Sequence, residues 1–263
     1  MEAEERRLHD IFKKLGSVLV AFSGGVDSTF LLSVAGEVLG DRVLAVTASS
    51  PIHPRRELLQ ARRLAKRLGV RHRIIGSREL EDDHFLGNDS RRCYHCKRIL
   101  FNTLLDIARE EGLAAVVDGS NRDDLDDYRP GAEALRELGI RSPLQEAGLT
   151  KEQIRRFSRQ RGLSNWDLPA QACLASRIPY GTKLIRDDLK RVERAEEALH
   201  DLGYARVRVR HHGRLARIEV DGEDLERVLA DRLRVVSALK KSGYLYVAVD
   251  LEGYRRGSLN EAL

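Results

Sequence analysis

The chain has 263 residues, 42% of them hydrophobic and 33% charged, with a formal net charge of +5 and a pI near 9.2. No apolar run is long enough to span a bilayer, so no membrane partner is expected. Three cysteines, behind the charged start Met1-Glu2-Ala3-Glu4-Glu5-Arg6-Arg7, argue against a disulfide-framed secreted domain and lead to a cytoplasmic expectation. The basic balance suits an anionic ligand, whether nucleotide, nucleic acid or phosphorylated metabolite. This length accommodates one sizeable core and a smaller appended unit.

Val18, Leu19, Val20, Ala21 and Phe22 read as a buried strand, and 27–39 as a helix with Phe30, Leu31, Val34 and Val38 inward. Between them stands Ser23-Gly24-Gly25-Val26-Asp27-Ser28. Paired glycines let backbone approach an anion closely, and the positive end of the next helix favours phosphate there. No Walker-type lysine motif occurs in the chain. The whole string, in its strand–loop–helix setting, resembles the pyrophosphate loop of the ATP pyrophosphatase (PP-loop) superfamily. That resemblance implies ATP cleavage between the α and β phosphates and adenylation of a substrate oxygen.

Further strands follow at 42–47, near Arg73, Ile74 and Ile75, and at 113–117, with helices at about 53–68 and 94–111 between them. This alternation predicts an α/β fold, a parallel sheet with helices on both faces. Ligands on such sheets bind beyond the strand C-terminal ends, which places 22–28, 47–50 and Asp118-Gly119-Ser120-Asn121 at one rim. All six prolines lie at or before Pro179, and the pattern then changes. A helix with Leu189, Val192, Ala195, Leu199 and Leu202 inward leads to a strand at 205–210 and a turn at His211-His212-Gly213. A strand at 215–220, a helix at 225–239 and a strand at 244–250 complete the pattern. The expected division is a PP-loop domain over 1–180 and a small α+β domain over 181–263.

Cys93-Tyr94-His95-Cys96 opens a predicted helix, and Cys173 lies 77 residues beyond Cys96. A CxxC pair serves zinc, redox or iron–sulfur chemistry, and spacing alone leaves those open, as it leaves open a buried, chemically silent Cys173. Arg91, Arg92, Lys97 and Arg98 around the CxxC, and Arg177 after Cys173, would lower thiol pKa and attract phosphorylated ligands.

Several strings then agree in order: SGGVDS, Arg92-Cys93-Tyr94-His95-Cys96-Lys97, Tyr128-Arg129-Pro130-Gly131, the stretch Pro169-Ala170-Gln171-Ala172-Cys173-Leu174-Ala175-Ser176-Arg177-Ile178-Pro179-Tyr180-Gly181, Arg210-His211-His212-Gly213 and Leu215-Ala216-Arg217-Ile218-Glu219-Val220. Together they resemble the LarE family, ATP-dependent sulfur transferases of nickel-pincer nucleotide biosynthesis. The resemblance implies pyridinium-3,5-biscarboxylic acid mononucleotide as substrate, with adenylation of a carboxylate, attack by a sulfur nucleophile and a thiocarboxylate product. In single-cysteine members the donor cysteine loses its own sulfur. With three cysteines, this chain is similar to the branch in which Cys93, Cys96 and Cys173 hold a 4Fe–4S cluster and a sulfide is transferred.

Under that resemblance Ser23, Gly24, Gly25, Asp27 and Ser28 hold pyrophosphate, Asp27 through Mg2+, while Thr47 and Gly119 line the adenosine pocket. Cys173, Lys97, Ser176 and Arg177 are the catalytic candidates, Lys97 and Arg177 to steady charge on the acyl-adenylate. Arg206, Arg208 and Arg210 share a strand face. Arg208 and Arg210 become candidate clamps for the substrate phosphate, with Glu196 and Glu219 as weaker picks that an ordinary pairing with arginine also explains. Asp123, Asp124, Asp126 and Asp127 form a loop charge cluster for which solvation is the simpler account. Expected partners are the nucleotide substrate, sulfide or a sulfur donor, and copies of this chain in a homo-oligomer. The rival readings are a tRNA thiolase, which the 5% aromatic content disfavours, an amidating synthetase, which has no use for the cysteines, and a non-enzymatic adenine-nucleotide-binding regulator.

Overall fold

The computed structural model describes residues 2–125, 130–169 and 171–255. In chain order the elements are α1 (Ala3–Leu15), β1 (Val18–Ala21), α2 (Val26–Leu39), β2 (Val43–Ser49), α3 (Arg55–Arg67), β3 (Arg71–Gly76), α4 (Asp83–Leu86), α5 (Arg92–Glu110) and β4 (Ala115–Val117). There follow α6 (Pro130–Glu137), α7 (Pro143–Glu146), α8 (Lys151–Gln160), α9 (Arg186–Asp201), β5 (Val207–His212), β6 (Leu215–Val220), α10 (Leu225–Ala230), α11 (Arg232–Lys241) and β7 (Tyr246–Val249). The chain forms two compact units, Met1–Glu79 with Cys93–Gln171, and Leu80–Arg92 with Ala172–Leu263. Among the described residues, no helix is long and apolar enough to cross a membrane.

The first unit is built on a four-stranded parallel sheet in the order β3-β2-β1-β4. β1, β2 and β4 read as apolar runs because both their faces are covered, whereas the edge strand β3 is polar at its start and largely exposed. Val18 and Val20 of β1, Val43 and Ala45 of β2, and Val117 of β4 pack into one layer with Phe12, Phe30, Leu31, Leu64 and Phe157. The alternate residues Leu19, Leu44, Val46 and Val116 pack into a second layer with Phe101, Leu104, Ile107 and Leu135. The period of two along each strand thus divides the core between two helix layers. α2 is buried nearly all round, as a helix enclosed by other elements must be.

In the second unit β5, β6 and β7 form a mixed sheet in that order, β5 antiparallel and β7 parallel to β6. Val207, Val209, Ala216, Ile218 and Val220 pack with Ala195 and Leu199 of α9 and with Val235 and Leu239 of α11. Two expectations are corrected here. β5 runs on through His211 and His212, so the turn begins only at Gly213. The predicted helix over 225–239 is two helices that meet at Asp231. Within the second unit, 80–92 is tied to 175–184 by hydrogen bonds of Asn88 and Arg92. Tyr128, Arg129 and Ala170 of the sequence motifs, with Asp126 and Asp127, lie outside the described residues.

Candidate active site

The strand order reverses between β1 and β4, and SGGVDS leaves the C-terminal end of β1 at that point. Gly24 has φ +76°, and a Cβ on it would come within 3.0 Å of the Ala61 backbone. Both facts require glycine there. Gly25 is the N-cap of α2, and no side chain caps that turn, which leaves the N–H groups of Val26, Asp27 and Ser28 available to an anion. Ser23 and Ser28 hydroxyls lie 3.1 Å apart, and Ser28 Oγ donates to the Gly25 carbonyl. The buried Asn165 donates from Nδ2 to the Gly24 carbonyl at 3.0 Å and to Thr29 Oγ1 at 3.0 Å.

Asp27 stands in the first turn of α2, and its Oδ2 accepts from Lys151 Nζ. Burial raises the Asp27 pKa, and the Lys151 ammonium opposes that shift. Among the described residues, the buried Asp27 Oδ1 has no hydrogen-bond partner. Lys151 is the first residue of α8, whose N-terminus carries a capping box between Thr150 and Gln153. Its backbone N–H donates to Asp123 Oδ2, and Asp124 Oδ2 accepts from the Asn121 N–H, so two members of the acidic loop cluster serve the backbone.

Gly119 follows β4, and a Cβ there would stand 3.1 Å from the Ser28 nitrogen. The β4 end therefore closes onto the N-terminus of α2. Thr47 is buried; its hydroxyl donates to the Phe22 carbonyl at 2.7 Å and so must accept from His72 Nε2 at 2.8 Å. This engagement steadies the start of the loop. Lys97 lies on α5, with Nζ 4.9 Å from the Phe101 ring centroid. A Cβ on Gly131 would come within 3.1 Å of Lys97 Cγ, so α6 packs directly on this turn.

In the second unit Cys173 is the N-cap of a 3-10 turn, Leu174–Arg177. Ser176 Oγ donates to the Cys173 carbonyl at 2.7 Å. Arg177 is 1% exposed; it donates to the carbonyls of Ala172 and Cys173 and forms a bidentate pair with Glu196. Burial works to raise the Glu196 pKa, yet the Arg177 guanidinium beside it holds the carboxyl below its ordinary value. Arg210 pairs with Glu219 at 2.6 Å and donates to the Ser176 carbonyl at 2.8 Å. Arg208 differs from both. It is buried, its Nη1 donates to the Val207 carbonyl, and among the described residues it makes no direct ion pair, although the Glu196 carboxylate partly offsets its charge from farther away. Burial and repulsion from Arg177 lower its pKa. Its guanidinium faces the Tyr254 ring at 5.4 Å. A buried cation with no directly paired carboxylate is suited to an anion from outside the chain.

A family profile described as asparagine synthase matches residues 11–99, the stretch holding the loop and β1 to β3. An uncharacterized protein of Synechocystis sp. is 43% identical over 100% of this chain and 99% of its own. The pyridinium-3,5-bisthiocarboxylic acid mononucleotide synthase of Lactiplantibacillus plantarum is 42% identical over 95% of this chain and 91% of its own. The chain belongs to the LarE family. It is an ATP-dependent sulfurtransferase on the PP-loop scaffold that the geometry describes. An uncharacterized protein of Methanocaldococcus jannaschii is similar at 29% identity over 90% of each chain.

The structure of this LarE-family chain gathers Ser23, Gly24, Gly25, Asp27, Ser28, Thr47 and Gly119 at the strand ends of the first unit, with Lys97 on α5. It gathers Cys173, Ser176, Arg177, Glu196, Arg208, Arg210 and Glu219 in the second. Cys93 is exposed and Cys96 half-buried, one turn apart on α5 of the first unit, while Cys173 is half-buried in the second. Among the described residues no three His, Cys, Asp or Glu side chains stand together as a metal-holding group. Lys151 and Asn165 are additions to the sequence-derived site. The Thr150–Gln153 capping box is a local signal that could have marked the start of α8. Asn165 has no local signal, since it acts on Gly24 from 141 residues away.

Proposed function

We propose that this enzyme converts the carboxylates of pyridinium-3,5-biscarboxylic acid mononucleotide to thiocarboxylates in nickel-pincer nucleotide biosynthesis. The observation that carries the reading is similarity along nearly the whole chain to a synthase named for the bisthiocarboxylic mononucleotide. The pyrophosphate of ATP lies against the N–H groups of Val26, Asp27 and Ser28, where Lys151 offsets its charge. A substrate carboxylate oxygen attacks the α-phosphorus, the bond to the β-phosphate oxygen breaks, and pyrophosphate leaves. The product of that step is a mixed anhydride in which AMP has become a good leaving group. Sulfur then attacks the carbonyl carbon, and AMP departs with the former carboxylate oxygen.

Lys97 steadies the charge that develops on the acyl-adenylate. Arg208 takes the substrate phosphate, while Arg177 and Arg210 hold the Cys173–Ser176 turn in shape through its carbonyls. Residues 181–263 serve as the substrate-binding and oligomerisation domain. Mg2+ fits at Asp27, whose second oxygen is an unsatisfied hard donor. Three partly accessible thiols are a donor set that fits soft-metal ligation. Cys93, Cys96 and Cys173 would hold a 4Fe–4S cluster, which when bound would supply the sulfide for transfer, with an external sulfur donor to restore it.

Pyrophosphate release from ATP and Mg2+ should require the pyridinium mononucleotide, and with sulfide the reconstituted enzyme should exchange its carboxylate oxygens for sulfur. Release that instead depends on tRNA or on ammonia would overturn this assignment in favour of a thiolase or an amidating synthetase.

A further inference from the structure

Within the second unit, the segment that leads into the CxxC motif is bonded to the segment that carries Cys173. Asn88 is wholly buried and adopts φ +54°, where side-chain-bearing residues are uncommon. Asparagine tolerates this region better than most residues, but such a conformation persists only where the surroundings enforce it. Here they do. Asn88 Nδ2 donates to the carbonyls of Pro179 at 2.8 Å and Thr182 at 2.9 Å, and its own carbonyl accepts from the Gly181 N–H at 3.0 Å. Its Oδ1 accepts from Nη1 of Arg92, the residue before Cys93. The same Nη1 donates to the carbonyl of Ala175, two residues past Cys173, at 3.2 Å. The Arg92 guanidinium, 4% exposed, also lies 5.0 Å from the Tyr180 ring centroid.

Arg92 makes no ion pair with a carboxylate in the described structure. A buried cation held only by neutral acceptors is a costly way to gain stability, and an apolar side chain would pack there at less cost. Its forked donors nevertheless fix two chain segments in a single register. We propose that Asn88 and Arg92 form a positioning latch, which sets the approach to Cys93 against the Cys173 turn so that the thiols can act together. The inference rests on the three-thiol reading above. Neither residue touches ATP or substrate in that mechanism.

The test uses metal-free full-length chain carrying Cys96→Ser and dibromobimane, which joins two thiolates as each displaces a bromide. Arg92→Lys keeps the cation and loses the fork. Asn88→Gly keeps the left-handed backbone accessible and loses the amide. Each should slow formation of the Cys93–Cys173 cross-link by at least about tenfold, since ångström-scale misplacement of reacting groups costs that much or more. Both variants should still unfold in a single cooperative thermal transition, at a lowered midpoint, and substrate-dependent pyrophosphate release by the same changes in the three-cysteine chain should stay at the parent value. Cross-linking at the parent rate in both folded variants would overturn the latch and leave the three-thiol reading intact. If the Cys96→Ser parent itself forms no Cys93–Cys173 cross-link, the three-thiol reading falls and the latch with it.

Discussion

Lys151 and Asp27 show how one pair serves both folding and chemistry. Burial raises the Asp27 pKa, the Lys151 ammonium lowers it, and the balance leaves the carboxyl above its ordinary value. Lys151→Met removes the opposing charge, so the Asp27 pKa rises further. Pyrophosphate release should then slow by about a hundredfold, the usual scale for loss of one group that stabilises developing charge. The acidic limb of its pH profile should move to higher pH. An unchanged rate and limb would remove Lys151 from the site. Arg208 and Arg210 make the complementary point. Alternate positions on one strand look equivalent in sequence, but Glu219 and the Ser176 carbonyl occupy Arg210, whereas Arg208 has no directly paired carboxylate among the described residues. What separates them is tertiary partnership, which spacing does not encode.

At the scale of elements, the parallel sheet and its rim were legible because β1 and β2 are apolar runs and the loop is a near-unique string. The amphipathic α3 and α9 were legible from their helical spacing. α1 and the short helices α6 to α8 were not assigned from sequence. Their inner residues are few, as with Leu8 and Phe12 in a helix otherwise dense in charge. Glu196 and Glu219 pair with Arg177 and Arg210 in the second unit, the competing account that the sequence left open for both. For α8 the decisive feature is its cap, because the capping box fixes where Lys151 begins the helix. Thr150→Ala should cost about 1 kcal/mol, the usual value of such a cap, and should lower pyrophosphate release without altering the fold by circular dichroism. Denaturant titration and the release assay check both effects.

For the molecule as a whole, acid sensitivity follows from the buried His211 and the half-buried His53 and His72. Burial is the first cause that lowers the pKa of His53, His72 and His211 below the ordinary 6.5. The folded state then favours their neutral forms, while the unfolded chain binds protons below about pH 6.5. Their contribution is therefore present above that pH and is lost progressively as pH falls toward the depressed folded values. Glu37, Glu146 and Glu196, all held below their ordinary values, extend the loss to lower pH. Denaturant midpoints should be flat from pH 8 to 7 and should fall steadily below about 6.5. A midpoint that rises on acidification would contradict the buried-neutral state of these side chains.

The central claim is that ATP activates a carboxylate whose oxygen sulfur then replaces. Pyridinium-3,5-biscarboxylic acid mononucleotide labelled with heavy oxygen in its carboxylates tests this most directly, with the released AMP read by mass spectrometry. The account predicts one labelled oxygen in each AMP formed with a thiocarboxylate. Thiocarboxylate accompanied by unlabelled AMP would contradict it.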